Sequence, residues 1–182
     1  MKLLYPEEHI SCVNYLKDKS IGFSIQSLKK DEDFVLLDKE MHYIIFLQSG
    51  KMRLAFKNVG TKALLGGEMV YIPSNHDGKG FAEADSEFIV LGFDNKHLNL
   101  CDEFAIKDLL KYCTVDTDQL SASLPIYPPM QMVLDSVRFY LNNKISCIHL
   151  HSIKQKEVFL ILRTFYSRSE NANLFAPILL PS

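Results

Sequence analysis

Six histidines are spread through 182 residues, and their spacing decides whether the chain could hold a metal. A His-x-His pair on a β-strand puts both imidazoles on one face, because side chains alternate with a period of two. A carboxylate and a third histidine then complete a coordination set. Residues 41–50, MHYIIFLQSG, supply His42 but place Ile44 where the second imidazole would stand. His76 follows Pro73 in PSNHDGKG, with no carboxylate at the spacing a metal set requires. No metal and no other cofactor is therefore expected. His42 reads as a strand histidine with a satisfied hydrogen bond or as a contact to a ligand, and His76 as a solvated loop residue.

The other constellations offer less. His149-Leu150-His151 stands where a helix is expected to begin, and residues two apart on a helix diverge by about 200°, so they do not converge on one ion. A solvated helix entry is the reading there. There is no GxSxG elbow for a serine nucleophile, no GxGxxG and no GxxxxGK[ST] for phosphates. The acidic runs Asp31-Glu32-Asp33 and Asp102-Glu103 fall in expected turns, where solvation accounts for them. Catalytic residues are thus expected to be absent.

The elements that would position any site divide by texture near residue 100. Across residues 21–93 the runs GFSIQSL, DFVLLD, HYIIFL, KMRLAFK, TKALL, EMVYIP, GKGFAEA and EFIVLGF alternate with turn residues such as Ser49-Gly50 and Gly66-Gly67. Short strands at this spacing, with no helical period between them, predict an antiparallel barrel or sandwich. A parallel sheet would need crossover helices that this stretch has no room for. A barrel of this size can enclose one small ligand. Ser24, Gln26, His42, Arg53 and Tyr71 are the polar or amphipathic strand residues from which such a pocket would be lined. A one-residue slip in strand parity would exchange their faces.

After residue 95 the texture turns helical. CDEFAIKDLLKYC reads as a short amphipathic segment carrying Phe104, Leu109 and Leu110. Pro128-Pro129 opens PPMQMVLDSVRFYLNN, whose Val133, Val137, Tyr140 and Leu141 form one apolar stripe. A third helix is expected over residues 151–167, with Ser152 as a candidate cap. Its run Val158-Phe159-Leu160-Ile161-Leu162, followed by Phe165 and Tyr166, spreads around more than a full turn. Such a helix must be covered on two sides, either within its own domain or by a partner. Phe159, Leu162, Phe165 and Tyr166 are the candidates for a homodimer interface. The closing NANLFAPILLPS, apolar and broken by proline, reads as a chain cut at a linker.

Composition narrows the classes. A net charge of -2 and a pI near 6.3 give no general attraction to phosphate backbones, so nucleic acid would be reached only through another part of the protein. Four scattered cysteines, no CxxC pair and no export signal in MKLLYPEEH predict a reduced, cytoplasmic protein. No run is long enough to span a membrane.

The spacing Gly67-x5-Pro73 is similar to the second motif of the cupin barrels. IIFLQSGKMRLAF, GGEMVYIPSN, VLGFDNKHLNLCDEF and HSIKQKEVFLILRTFYSRSENANLFAPIL, taken in order, resemble the N-terminal regulatory domain of AraC-type transcription regulators. The resemblance implies a mainly β chain: a cupin-like antiparallel jelly roll over residues 1–98, then a short helix and an antiparallel helix pair in a dimerising, linking segment over 99–182. It implies a small-molecule effector, a homodimer formed by the helices, and DNA contact only through a C-terminal helix-turn-helix domain that this chain lacks. A stand-alone metal-dependent cupin enzyme, an isomerase or a dioxygenase, is the alternative. Bound iron, zinc or manganese would decide for it.

Overall fold

The computed structural model describes residues 6–18, 20–36, 38–56, 60–75, 78–98, 105–115 and 122–180. A short helix α1 (Pro6–Ser11) precedes eight strands: β1 (Gly22–Leu28), β2 (Asp33–Phe34), β3 (His42–Ser49), β4 (Lys51–Phe56), β5 (Gly60–Leu65), β6 (Glu68–Ile72), β7 (Gly78–Ala82) and β8 (Ser86–Phe93). They form two antiparallel sheets, in the orders β1-β8-β3-β6 and β2-β7-β4-β5. A two-residue strand β9 (Leu124–Pro125) extends the first sheet beside β6. First pairs with eighth, second with seventh, third with sixth and fourth with fifth. That nesting is one long hairpin rolled into a barrel, the jelly roll.

The expected strand runs all form, though DFVLLD contributes only Asp33–Phe34 to a ladder. Gly50 (φ 92°) and Gly67 (φ 89°) take the left-handed conformation that the hairpin turns beside them require. The two sheets differ in how the sequence meets solvent. On β4, Met52 and Leu54 point into the barrel while Lys51, Arg53 and Ala55 are exposed, the alternation of a sheet with one wet face. On β3 and β8 nearly every residue is buried, because the first sheet is covered on both faces. Its inner face packs on the second sheet. Its outer face packs on the C-terminal helices.

Those helices are α2 (Pro128–Asn142), α3 (Ile148–Phe165), α4 (Arg168–Leu174) and α5 (Ala176–Leu179), reached through a 3-10 helix, Ile106–Tyr112. Pro128 and Pro129 occupy the first turn of α2, where a missing N–H costs nothing. Helix α3 begins earlier than expected. Cys147 caps it through its sulfur, which accepts the Leu150 N–H, so Ser152 lies inside the helix. Helix α4 was not expected, yet Ser167 and Glu170 form a reciprocal capping box, each side chain meeting the other's backbone N–H. The final apolar run is corrected as well. Phe175, Ala176 and Leu179 are core residues, so this stretch is packed and does not behave as a linker. Among the described residues no helix is long and apolar enough to cross a membrane.

Candidate functional site

A buried imidazole with three hydrogen-bond partners lies where β3 begins and β6 ends. Tyr71 on β6 pairs in register with Ile44, which puts it one pleat from His42 on the same face. Pro73 then stops the ladder, and the turn after it brings the Ser74 N–H to His42 Nδ1 at 3.1 Å. The Tyr71 hydroxyl reaches the same nitrogen at 2.6 Å. Across the ring, His42 Nε2 lies 2.6 Å from Asn95 Oδ1. Asp94 sets that contact up: its carboxylate accepts the Lys96 and His97 N–H groups and so holds the 3-10 turn Asn95–His97 in place.

These partners fix the tautomer. The backbone N–H of Ser74 can only donate, so Nδ1 is the acceptor, and the proton resides on Nε2, donated to Asn95. His42 is 1% exposed, and burial lowers its pKa; the bond to Asn95 and the Asp94 charge oppose that shift without reversing it. Burial raises the Tyr71 phenol far above its usual value, so it stays a donor.

An aromatic chain runs outward from this imidazole. His42 stacks on Tyr71 (centroids 5.9 Å) and on Phe93 (5.7 Å). Phe93 meets Phe159 of α3 edge to face at 5.3 Å, and Tyr71 meets Phe175, between α4 and α5, at 4.9 Å. The cluster therefore touches both sheet and helices. It ties one layer to the other.

A second buried histidine does the same work at the start of β1. His151 of α3 accepts the Phe23 N–H at Nδ1 (2.9 Å), and its Nε2 lies 2.8 Å from the Ser146 hydroxyl. Burial lowers its pKa to about 4. Gly22 leaves the room for it, since a Cβ there would stand 2.6 Å from the ring. The expected solvated helix entry is thus corrected: His149 is exposed, but His151 is a docking residue of the helix.

The five expected pocket residues do not line one pocket. Ser24 and Gln26 pair with Val90 and Phe88, which places them on the barrel's inner side, and Gln26 donates to Ser24 at 3.3 Å. His42 and Tyr71 lie on the opposite face of that sheet, under the helices. Arg53 lies on the wet face of the second sheet, ion-paired with Glu83. The parity was unreadable for a physical reason: both faces of β3 and β6 are buried, so neither shows a polar alternation. The interior itself is filled by Tyr43, Ile45, Leu47, Leu54, Phe88 and Val90 with their neighbours. A cleft of about 280 Å³ opens outside it, lined by Ser27, Leu28, Lys29, Glu32, Ser49, Asp85, Ser86 and Glu87.

Both ring nitrogens of His42 are already committed, Nδ1 accepting from Tyr71 and Ser74 and Nε2 donating to Asn95. Among the described residues no three His, Cys, Asp or Glu side chains gather as they would around an ion. His76 lies outside the described residues.

The expected dimer residues need correction too. Phe159 is 3% exposed, Leu162 0% and Tyr166 4%, all packed within the chain's own core. Tyr166 stacks on Tyr127, and its hydroxyl donates to the Pro125 carbonyl. Only Phe165 of the four is exposed. The apolar outer face of the barrel takes up the side that seemed to require a partner. What α3 leaves open is a different stripe, Ile153, Lys156, Leu160 and Arg163, spaced along one side of the helix. Exposed Met132 and Phe139 stand one above the other on α2.

No family model matches the chain, and no curated protein matches it. Among solved structures it is similar to a cupin 2 conserved barrel domain protein from Leptotrichia buccalis, at 23% identity and a TM-score of 0.37 over 42% of this chain and 36% of that one. It is similar to the EutQ protein of Clostridium difficile, at 16% identity and TM-score 0.35 over 40% of this chain and 56% of that one. It is also similar to ectoine synthase from P. lautus, at 13% identity and TM-score 0.35 over 50% of this chain and 77% of that one. Each covers half of this chain or less, and the nested strand order carries the fold on its own. By that order the barrel is an antiparallel jelly roll.

Proposed function

We propose that this chain is a non-catalytic regulatory module of the AraC type, a cupin barrel whose helical layer pairs two copies and relays a signal to a DNA-binding domain. The observation that supports it best is the helical layer itself: α3 is fixed to the barrel by one side while its opposite side presents Ile153 and Leu160, alternating with Lys156 and Arg163. Exposed apolar residues spaced seven apart on a helix are what a second helix would pack against. The resemblance in sequence order agrees with this architecture. A homodimer through this stripe, DNA contact through a separate C-terminal domain, a cytoplasmic setting and a small-molecule effector are all parts of the proposal. Because the interior is filled, the proposed effector is assigned to a place outside the centre of the barrel.

The test is sedimentation of the wild type beside Leu160→Asp. A dimer at micromolar concentration that the substitution converts to monomer is the expected result. A wild type that stays monomeric at several hundred micromolar ends the dimerising reading. Metal content measured on the same preparation addresses the enzyme alternative, since a stoichiometric transition metal would favour it.

A further inference from the structure

We propose that the helical layer is a separable unit, clipped to the outer face of the barrel by two neutral imidazoles, and that it opens as a unit, transiently, more often when they are protonated. The inference stands apart from the regulatory reading and holds for a monomer or a dimer.

The geometry sets the two clips at separate places on one interface. His42 belongs to the sheet and reaches the helices through Phe93 to Phe159 and through Tyr71 to Phe175. His151 belongs to the helices and reaches the sheet through the Phe23 N–H. In both, Nδ1 accepts a backbone N–H, that of Ser74 in one and of Phe23 in the other. A protonated Nδ1 would face a donor that cannot turn away. The inner face of the barrel, among the described residues, holds no imidazole, so the same change leaves the contact between the two sheets untouched.

The charged and titratable surroundings are few. Around His42 they are Tyr71, Asp94 and, bonded to Asp94, His97; Asn95, Ser74, Phe93 and the helical rings are neutral. Around His151, among the described residues, they include His9 of α1, which accepts the Ser146 N–H, Tyr15 against His9, and Cys147 one turn earlier at the cap of the helix; Phe23, Leu16 and Ser146 are neutral. One ion pair, Glu87–Arg138, also crosses between sheet and α2.

The sign follows from linkage. An imidazole whose folded value is lowered adds stability above its ordinary value of 6.5 and loses it as pH falls towards the folded value, about 4 for His151. Opening frees the ring to its ordinary value, so between pH 7.5 and pH 5 His151 alone raises the open fraction about 30-fold, and His42 multiplies it in the same direction. The apolar face keeps the closed form dominant, so the opening is a sub-global fluctuation that hydrogen exchange detects.

The experiment is native-state hydrogen exchange of the full chain at pH 7.5 and pH 5, corrected for intrinsic rates and resolved by segment. Residues 128–142 and 148–165 are expected to exchange at least about 30-fold faster at pH 5, with β4 and β7 unchanged. Equal acceleration in helices and barrel, or none in the helices, overturns the proposal. The double variant His42→Gln, His151→Gln keeps acceptor oxygens without titrating and is expected to abolish the difference. If it retains the full acceleration, the Glu87–Arg138 pair or another group is responsible and the clips are not. Should that variant fail to fold, the segment-resolved wild-type result decides alone.

Discussion

One step along β3 separates two different interiors. Tyr43, Ile45 and Leu47 face the second sheet and meet Val70, Ile72, Phe88 and Val90, a nearly hydrocarbon filling. His42, Ile44 and Phe46 face the helices and meet Tyr71, Ile89, Leu91 and Phe93, with an imidazole and a phenol joined at 2.6 Å among them. Both faces are equally dry. They differ in what holds them: mainly area inside the barrel, beside the Gln26–Ser24 and Asp38–Tyr43 bonds, and area plus directional bonds at the helix contact outside it. Directional bonds specify one arrangement of helix on sheet, whereas an aliphatic filling tolerates small repacking. In this molecule the adjustable chemistry was placed outside the barrel, and the inside serves as a rigid platform.

The sharpest way to break the inner side is Gly92→Ala. A Cβ at that position would stand 1.9 Å from the Ser20 carbonyl, which crosses there, and 3.0 Å from the Tyr43 ring. Neither backbone can move without disturbing β1 or β3, so a loss above about 3 kcal/mol in urea unfolding is expected. A variant within about 0.5 kcal/mol of wild type would mean that the crossing is not fixed. The two faces are next compared by Ile45→Ala and Ile44→Ala. Both residues are 0% exposed. Each should cost roughly 2–5 kcal/mol, but only Ile44→Ala should also speed exchange in α3 ahead of the barrel. The same exchange pattern from both would erase the distinction between the faces.

The directional bonds give the next smaller effects. His42→Phe keeps a ring between Tyr71 and Phe93 but removes the imidazole from its bonds to the Tyr71 hydroxyl, the Ser74 N–H and Asn95 Oδ1. Of these only Tyr71 is fully buried, Ser74 being half-buried and Asn95 exposed. Water replaces part of what the other two lose, so a loss of about 2 kcal/mol is expected, within the roughly 1–3 kcal/mol of a disrupted buried polar group. Tyr71→Phe removes one donor while Ser74 still serves His42, and about 1 kcal/mol is expected. If Tyr71→Phe proved the more damaging, the imidazole would not be the centre of the network. Thermal unfolding of the two variants side by side settles the order.

The strands were legible in the sequence because turn residues such as Ser49-Gly50 and Gly66-Gly67 punctuate them and β-branched and aromatic residues fill them. The faces were not legible, because a sheet buried on both sides loses the alternation that reveals direction. That single fact explains why His42 and Tyr71 were grouped with Ser24 and Gln26. It also explains α3: the sequence shows that Phe159, Leu162 and Tyr166 need cover on more than one side, but not that the outer face of the sheet supplies it. Asn95 carried no signal at all, since its role depends on a turn that only the fold brings beside His42. Helix α4 did carry one, the Ser-x-x-Glu of Ser167 and Glu170, a local pattern sufficient to mark its start.

The smallest expected effect on folding is the one that matters most for partnership. Leu160 is 55% exposed, while its neighbour Ile161 is 8% exposed and Leu162 is 0%. Leu162→Asp would bury a charge beneath the helical layer and report only on folding. Leu160→Asp puts the carboxylate in solvent beside the Lys156 and Arg163 positions, so its midpoint of thermal unfolding at low protein concentration should stay within about 2 °C of wild type. A larger drop at that concentration, where any dimer is dissociated, would mean that this stripe already serves the chain's own packing. An unchanged midpoint at low concentration, combined with a lost concentration dependence of the midpoint, is what a face reserved for a second copy requires, because association stabilises the folded state by mass action and Leu160→Asp removes only that contribution.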